Sequence, residues 1–471
     1  MLFASAGFLF AFLPVFLLIF MIVPNRAKKA VVLIGSVAFY VIANIYEPFS
    51  IAVLWLVILF HYFAAFLLRR FRDRFLLILF ILVDVMAFFS LRLLCNQMMD
   101  QYYFAFPIGA SLYLLMGVSY LIDLYREPEL CPDDLVRTAL YLSFFPIMLA
   151  GPLIRFREFC DHMDRLSFRV ENFSRGARIL TVGLVKVLGV GAVLVEAYES
   201  ILQFEELQVN LAIGLLSLVM MYLIVFFSFS GYSDMGVGLC VMLGLPIRRD
   251  YNNPLTATST MRYLKGFFGS FYAFIDAYII APLEKTSFAT PRVRRAVGLS
   301  AYVLALTLWF RVDMRALLIA LPLLIAVLVE ELTPVGKLFR RRGGKVFGWL
   351  LTLVVTVVYW AQYQWGSYAE FFEYLHTLTA VSGSYQSLYT YATSIGSDFI
   401  IVALIALVIL MPLSYMDMES KVGDRVIPAK VRIVVDVGIS LMLMALLFLT
   451  LVYFMPQFPQ YAIDPYAYFV I

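Results

Sequence analysis

Residues 211–247 read LAIGLLSLVMMYLIVFFSFSGYSDMGVGLCVMLGLPI. Asp234 is the one charge in this stretch, which ends just before Arg248 and Arg249. A helix needs about 20 apolar residues to cross a bilayer, so this stretch is too long for one straight span. It predicts a membrane-embedded protein in which a helix bends or re-enters near Gly231, where surrounding protein would shield the irregular backbone.

The whole chain has the composition of a membrane protein. Apolar residues make up 63% of its 471 residues and charged residues 14%, whereas a soluble domain has about 45–50% and about 25%. Further charge-free stretches cover residues 2–23, 346–369 and 399–416. Because such stretches follow one another almost to the end, we predict an all-α polytopic bundle of roughly 11–14 spans. It would form a single transmembrane domain over residues 1–471.

Basic residues beside the predicted spans indicate an orientation. Arg26, Lys28 and Lys29 follow the first span, and four arginines within residues 69–74 follow the third. Since basic loops favour the cytoplasm, an N-terminus outside the membrane places both clusters inside. The first apolar run begins at Leu2 with no basic residue before it, which predicts a retained helix rather than a cleaved signal. The net charge of +4 then reflects topology, and no nucleic-acid partner is expected.

Metal and nucleotide chemistry have little support in the sequence. The four cysteines are scattered without a Cys-x-x-Cys pair, so neither a metal site nor a disulfide framework is predicted. Histidine occurs at residues 61, 162 and 376, with no ligand cluster. No G-x-x-x-x-G-K-S/T loop is present, so direct use of ATP is not expected. We predict no bound cofactor and no metal.

Several short motifs follow one another along the chain. They are Pro107-Ile108-Gly109, Ser119-Tyr120-Leu121-Ile122-Asp123, Ala150-Gly151-Pro152, Phe229-Ser230-Gly231-Tyr232-Ser233-Asp234-Met235 and Tyr251-Asn252-Asn253-Pro254. In these motifs the chain resembles the membrane-bound O-acyltransferases (MBOATs), and most of all the bacterial branch that acylates alginate or teichoic acids. The resemblance spans nearly the whole chain. It implies a ring of helices around a central tunnel, in a multi-pass protein of the bacterial cytoplasmic (inner) membrane.

The resemblance also implies two catalytic histidines, and phenylalanine stands at both positions. Laid on from Pro254, the family's Phe-Trp-Arg-Arg-Trp-His element falls on residues 263–268, which places Phe268 at the first histidine. The later Trp-His pair falls on Trp309 and Phe310. Histidine suits the role of base because its pKa lies near the operating pH. A phenyl ring neither accepts nor donates a proton.

Two nearby residues are candidates to substitute for the histidines. Asp313 lies three residues after Phe310 and would share its face on a continuous helix, where an apolar tunnel would raise the carboxyl pKa. The alternative is an ion pair with the arginines that flank Asp313. Ser270 offers a hydroxyl beside Phe268.

A second group of candidates would line the tunnel or bind substrate: Ser230, Tyr232, Ser233, Asp234, Asn252 and Asn253. A carboxylate at membrane depth is costly unless it is paired, so Asp234 is the leading member of this group. The alternative for Asp234 is a structural role, in which its hydrogen bonds tie two helices together.

Three functions stay open on the sequence alone. The first is a non-catalytic family member that supports O-acylation or export of an envelope polysaccharide. The second is an active O-acyltransferase with other catalytic groups or with a base from a partner chain, fed by an acyl-coenzyme A or acyl-carrier-protein donor. The third is a transporter or conduit. The expected partners are the lipid bilayer, other envelope polysaccharide proteins and an acidic carrier that meets the basic loops.

Overall fold

The structure is a computed structural model that describes ten parts of the chain. They are residues 3–102, 106–130, 134–163, 166–202, 211–313, 315–340, 344–363, 365, 368–380 and 429–454. Every regular element within these parts is a helix. The predicted all-α polytopic class is confirmed. The predicted span at residues 399–416 lies outside the described residues.

Twenty α-helices are described. The first ten are α1 Leu13–Ile22, α2 Lys28–Ala43, α3 Pro48–Phe71, α4 Arg74–Tyr102, α5 Ala110–Arg126, α6 Leu135–Leu142, α7 Phe145–Met148, α8 Phe156–Met163, α9 Val170–Leu184 and α10 Ala192–Leu202. The others are α11 Leu211–Met242, α12 Thr260–Gly266, α13 Gly269–Ile275, α14 Ala281–Glu284, α15 Pro291–Phe310, α16 Arg315–Leu332, α17 Val335–Arg340, α18 Lys345–Ala361, α19 Tyr368–Ala380 and α20 Ala429–Leu449. Shorter 3₁₀ and π segments are Gly7–Phe12, Asn25–Ala27, Val185–Gly191, Pro254–Thr256, Asp276–Ile280 and Thr450–Phe454.

Five of the described helices are long and apolar enough to cross a membrane: Pro48–Phe71, Arg74–Cys95, Val170–Ile201, Leu211–Met242 and Pro291–Phe310. A sixth is possible if a bent helix pair counts as one span. Shorter apolar helices include Gly7–Ile22 within the first predicted span and Lys345–Ala361. The total of roughly 11–14 spans stays a prediction, because a large part of the chain after residue 380 is not described.

Helix α11 is one continuous helix of 32 residues, so the predicted bend near Gly231 is wrong. The reason lies in how α11 packs against α9. A Cβ atom on Gly231 would lie 2.9 Å from the carbonyl oxygen of Gly183, and one on Gly238 would lie 2.7 Å from that of Gly176. The two glycines on each helix are seven residues apart and pair in antiparallel order. The Gly231 position therefore serves close helix packing, and the long helix stays straight.

The backbone bend lies instead between α12 and α13. These helices meet at an angle of 102° across residues 267 and 268. The bent pair thus places residue 268 at a break inside the apolar bundle, which is the backbone feature that positions the candidate site.

The cysteines differ from the prediction at one position. Cys95 and Cys240 are free and buried, whereas Cys160 takes part in a disulfide bond. The expectation of no disulfide is therefore wrong for Cys160. Spacing alone does not show which cysteines the fold brings together.

Candidate functional site

Residues 250–252 form hydrogen bonds to the backbone on both sides of the break at residue 268, and we call this segment the clamp. The amide of Gly269 donates to the carbonyl oxygen of Asp250 at 3.0 Å, and the amide of Asn252 donates to the carbonyl oxygen of Gly266 at 2.8 Å. The amide of Ser270 donates to Oδ1 of Asp250 at 2.5 Å. Together these bonds satisfy backbone groups at the end of α12 and the start of α13, which would otherwise be unpaired at a buried helix end.

Phe268 has the left-handed backbone conformation, with φ 58° and ψ 52°. This conformation costs an L-residue roughly 1–2 kcal/mol, and such outliers cluster at functional sites. A phenylalanine side chain does not itself favour the left-handed conformation. The clamp from residues 250–252 therefore imposes the conformation, and it fixes the direction in which the residue 268 side chain points.

The Phe268 ring lies in a cluster of aromatic rings that we call the aromatic core. Its centre is a triangle in which the ring centroids of Phe229 and Phe310 are 5.2 Å apart. Phe268 lies 5.8 Å from Phe229 and 6.0 Å from Phe310. Further rings around this triangle belong to Tyr251, Trp309, Trp360 and Tyr363.

The aromatic core is closed to solvent. Phe268 is 4% exposed and Phe310 is fully buried. Edge-to-face and tilted ring pairs at these distances each contribute about 0.5–1.5 kcal/mol beyond their buried area. The two positions that the resemblance assigns to histidines thus lie side by side and are filled by packed apolar rings.

A buried ionic cluster lies on the other face of α11. Nζ of Lys186 is 2.6 Å from Oδ2 of Asp234, and Nε of Arg249 is 3.2 Å from Oδ1. Asp234 is 3% exposed and Lys186 is 4% exposed. The carboxylate links the π segment after α9 to the loop after α11. Lys186 and Arg249 thus share this one carboxylate.

An open cleft begins beside this cluster. Its volume is about 610 Å³, and the described residues that line it come from α9, from α11 and from residues 244–252. Arg175, Arg248 and Arg249 are among them, with Tyr251 at the inner side. The Tyr251 ring lies 5.4 Å from the Phe268 ring, so one aromatic side chain separates the cleft from the aromatic core.

The family of the chain follows from a comparison with known proteins. Residues 132–365 match the MBOAT model, which describes the membrane-bound O-acyltransferase family. The chain belongs to this family. The match contains the clamp, the aromatic core, the ionic cluster and the cleft, so these features lie within the MBOAT domain.

Several curated relatives cover similar shares of the chain. A probable alginate O-acetylase AlgI from Pseudomonas aeruginosa is 27% identical over 304 residues, which is 60% of this chain and 57% of the relative. The AlgI protein from Azotobacter vinelandii is 26% identical over 62% of each chain. A peptidoglycan O-acetyltransferase from Helicobacter pylori is 23% identical over 60% of this chain and 62% of that protein. The chain spans about three-fifths of the length of these relatives.

Asp313 lies outside the helix that ends at Phe310, so it does not share a continuous helical face with that residue. Arg311 after α15 is extended. Nε of Arg311 and Nε of Arg315 each donate to Oδ2 of Asp313 at 2.8 Å. Burial raises the pKa of the Asp313 carboxyl, but the two arginines lower it further, and the net pKa lies below its usual value. The expected rise is therefore not found, and the carboxylate is a weak base.

Ser270 is held by two backbone contacts. Its amide donates to Asp250, and its Oγ accepts from the amide of Leu153 at 2.8 Å. These contacts connect the start of α13 to residues 150–154. The hydroxyl is thus part of the frame around Phe268.

The tunnel candidates lie in different parts of the structure. Ser230, Tyr232 and Ser233 are buried within α11, and the residues that line the cleft do not include them. Asn252 is exposed and lines the cleft. Asn253 is exposed with φ 47° and begins the 3₁₀ turn Pro254–Thr256. Asp234 reaches the cleft through its ion pair with Arg249.

Sequence reasoning missed Asp250, which is 3% exposed. Its Oδ2 is buried and has no hydrogen-bond partner among the described residues. Burial raises the pKa of the Asp250 carboxyl to about 6, despite hydrogen bonds from Ser270. The only signal in the sequence was an acidic residue directly before the Tyr-Asn-Asn-Pro motif, after two arginines.

Proposed function

We propose that this protein takes part in the O-acylation of a cell-envelope polysaccharide as a member of the transfer apparatus that lacks histidine chemistry of its own. The observation that carries the proposal is the contact of the Phe268 and Phe310 rings, 6.0 Å apart, in a closed apolar core. In this role the chain binds other envelope proteins of polysaccharide modification or export and holds them at the bacterial inner membrane.

The chemistry of acyl transfer explains why the two rings matter. The acceptor hydroxyl attacks the carbonyl carbon of a thioester, a C–O bond forms, the C–S bond breaks, and the hydroxyl proton ends on the departing thiol. A base that takes this proton contributes about 10²–10⁴-fold in rate. Phenyl rings at residues 268 and 310 supply no such base. They also fill the volume in which the reacting groups would have to meet.

The relatives support the polysaccharide as the target. Two of them carry the name alginate O-acetylase and one the name peptidoglycan O-acetyltransferase. Alginate and the glycan of peptidoglycan are both envelope polysaccharides that offer hydroxyl groups. A hydroxylated glycan outside the cytoplasm is therefore the acceptor class that we assign to the apparatus.

The decisive measurement is the amount of ester-linked acyl groups that mild alkali releases from envelope polysaccharides. We compare the parent strain, a gene deletion, and deletions that carry the wild-type chain or the Asp313→Asn/Ser270→Ala variant. Esters are expected to be lost in the deletion and restored by both chains. Membrane immunoblots confirm that each chain is present.

Two results would overturn the proposal. Unchanged esters in the deletion would remove every role in O-acylation and would leave a conduit on the same scaffold. Loss of esters in the double variant, with the protein present in the membrane, would show that Asp313 or Ser270 takes part in catalysis.

A second candidate function rests on Asp250. A buried carboxyl with an unpaired oxygen beside residue 268 is the described group best placed to act as a substitute base. The protein would then be an active O-acyltransferase fed by acyl-coenzyme A or an acyl carrier protein. Asp250→Asn keeps the Oδ1 acceptor for the Ser270 amide, so loss of esters in a stable Asp250→Asn variant would favour this candidate. Retained esters would favour the non-catalytic role.

A further inference from the structure

The cleft beside the ionic cluster lies at the ends of two membrane-spanning helices. The span Leu211–Met242 ends just before the loop that lines the cleft, and the span Val170–Ile201 begins beside it. The cleft therefore sits at the polar boundary of the apolar bundle, where lipid headgroups lie.

The described residues that line the cleft include three arginines. Arg175 and Arg248 are exposed, and Arg249 is half-buried. The described residues that line the cleft include no aspartate or glutamate. Asp234 contacts both Arg249 and Lys186. Glu171 on α9 is exposed and is not among the residues that line the cleft.

A second cavity continues the cleft. It has a volume of about 480 Å³ and shares Asn172, Gly244 and Pro246 with the first cavity. It adds Lys29 and Arg169 to the lining. Together the two cavities form a basic trench that runs along the end of the bundle and has room for more than one phosphate group.

Apolar side chains next to the trench face outward. Val170 is 69% exposed and Phe173 is 36% exposed, both at the start of α9. A ligand with a phosphate in the trench and hydrocarbon chains beside α9 satisfies both surfaces. Arginine pairs with phosphate oxygens through two parallel hydrogen bonds, and basic pockets between spans bind anionic headgroups.

We propose that this basic trench is a binding site for the phosphodiester headgroup of an anionic phospholipid. Arg175 and Arg248 bind the phosphate oxygens, Arg249 adds charge from the ionic cluster, and the acyl chains lie along the first turns of α9. This site is separate from the role in O-acylation and does not depend on it.

The test uses the full chain purified in detergent, with its thermal unfolding followed as lipid is added. Phosphatidylglycerol is expected to raise the unfolding temperature in a saturable way, whereas phosphatidylcholine, which is zwitterionic, is not. Arg175→Gln/Arg248→Gln is expected to weaken the apparent affinity about 10- to 30-fold. Arg175→Lys/Arg248→Lys keeps the charge and is expected to lose much less.

The matched control is Lys285→Gln/Arg292→Gln, which removes two exposed positive charges outside both cavities. It is expected to bind phosphatidylglycerol like the wild type. If the control variant binds phosphatidylglycerol as weakly as the Arg175→Gln/Arg248→Gln variant, the loss of affinity reflects the overall positive charge of the protein, and the proposed site is overturned. Stabilisation by coenzyme A or inorganic phosphate but not by phosphatidylglycerol would assign the trench to a soluble phosphate ligand and also overturn the proposal.

Discussion

The aromatic core and the ionic cluster lie close together along α11 and differ in polarity: the core packs apolar rings, and the cluster pairs charged groups. Phe229 points into a closed set of rings, and five residues later Asp234 joins a buried lysine and a half-buried arginine. The core is apolar at the two positions that the resemblance assigns to histidines, whereas the cluster holds charged groups beside an open cleft. The difference teaches that one helix can pack a closed apolar core on one side and hold charged groups beside an open cleft on another.

The ionic cluster should show the largest effect on stability. Asp234→Ala removes the carboxylate from Lys186, which is 4% exposed. Breaking a buried ion pair by removing one partner costs about 3–5 kcal/mol, so we expect a loss of this size. Unfolding by titration with sodium dodecyl sulfate in mixed micelles measures it.

The control for this change is Lys186→Met/Asp234→Leu, which removes both charges together. It should be less destabilised than Asp234→Ala, because the buried Lys186 charge is removed together with its partner and only the half-buried Arg249 loses the carboxylate. If the double variant is the less stable one, the cluster does not act as a compensated pair.

The clamp at residue 268 should respond to pH through Asp250. Its folded-state pKa of about 6 lies above the ordinary value of 3.8, so the folded state binds the proton more tightly than the unfolded state. Stability from this group is therefore lost as pH rises from about 4 to about 6 and stays low above that. The difference corresponds to about 3 kcal/mol at most.

Asp250→Asn removes the titration and keeps an acceptor for the Ser270 amide. We expect this variant to be more stable than the wild type at pH 7.5 and equal to it near pH 4. Mixed-micelle unfolding of both chains between pH 4 and pH 8 gives the difference directly. A constant difference across this range would show that Asp250 does not titrate there.

The aromatic core should tolerate a polar ring poorly. Phe310→His places an imidazole against Phe229, Phe268 and Trp360, and leaving its polar atoms without partners costs about 1–3 kcal/mol. Phe310→Leu, which stays apolar, separates the effect of polarity from that of shape. A histidine variant as stable as the wild type would show that the core already offers a hydrogen-bond partner at this position.

Asp313 should show the smallest effect. Its side chain is 30% exposed, and that of Arg315 is 34% exposed, and partly exposed ion pairs contribute about 0–1 kcal/mol. Its other partner, Arg311, is 7% exposed, and an asparagine at residue 313 still offers Arg311 an oxygen acceptor. Asp313→Asn keeps an acceptor for the Ala316 amide, which now donates to Oδ1 at 3.1 Å. We expect less than about 1 kcal/mol of destabilisation in the same micelle titration. A larger loss would make Asp313 a structural anchor of α16.

The sequence predicts the fold class well because hydropathy reflects the bilayer directly, residue by residue. It also singles out the region of the candidate site, because the resemblance assigns Phe268 and Phe310 to the positions of the family's histidines; that assignment stays a prediction. The error at Gly231 has a physical cause. A glycine in a long apolar helix suits a bend or a close helix contact equally well, and only the partner glycines on α9 decide between them.

Other features depend on contacts between residues far apart in the chain. The pairing of Lys186 with Asp234 joins residues 48 positions apart, and the capping of Ser270 by Asp250 comes from a separate loop. The spacing of residues within one segment of the sequence predicts neither of these two contacts. The glycines at 176 and 183, and those at 231 and 238, share a seven-residue spacing, a regularity that the prediction of a bend did not take into account.

The left-handed backbone at Phe268 has a consequence for engineering. Because the clamp acts on main-chain atoms, it fixes the direction of any side chain that replaces phenylalanine at residue 268. A side chain introduced at this position would point into the aromatic core. A p-cyanophenylalanine placed there would carry a nitrile into the core, and its stretching frequency would report whether water ever reaches that point.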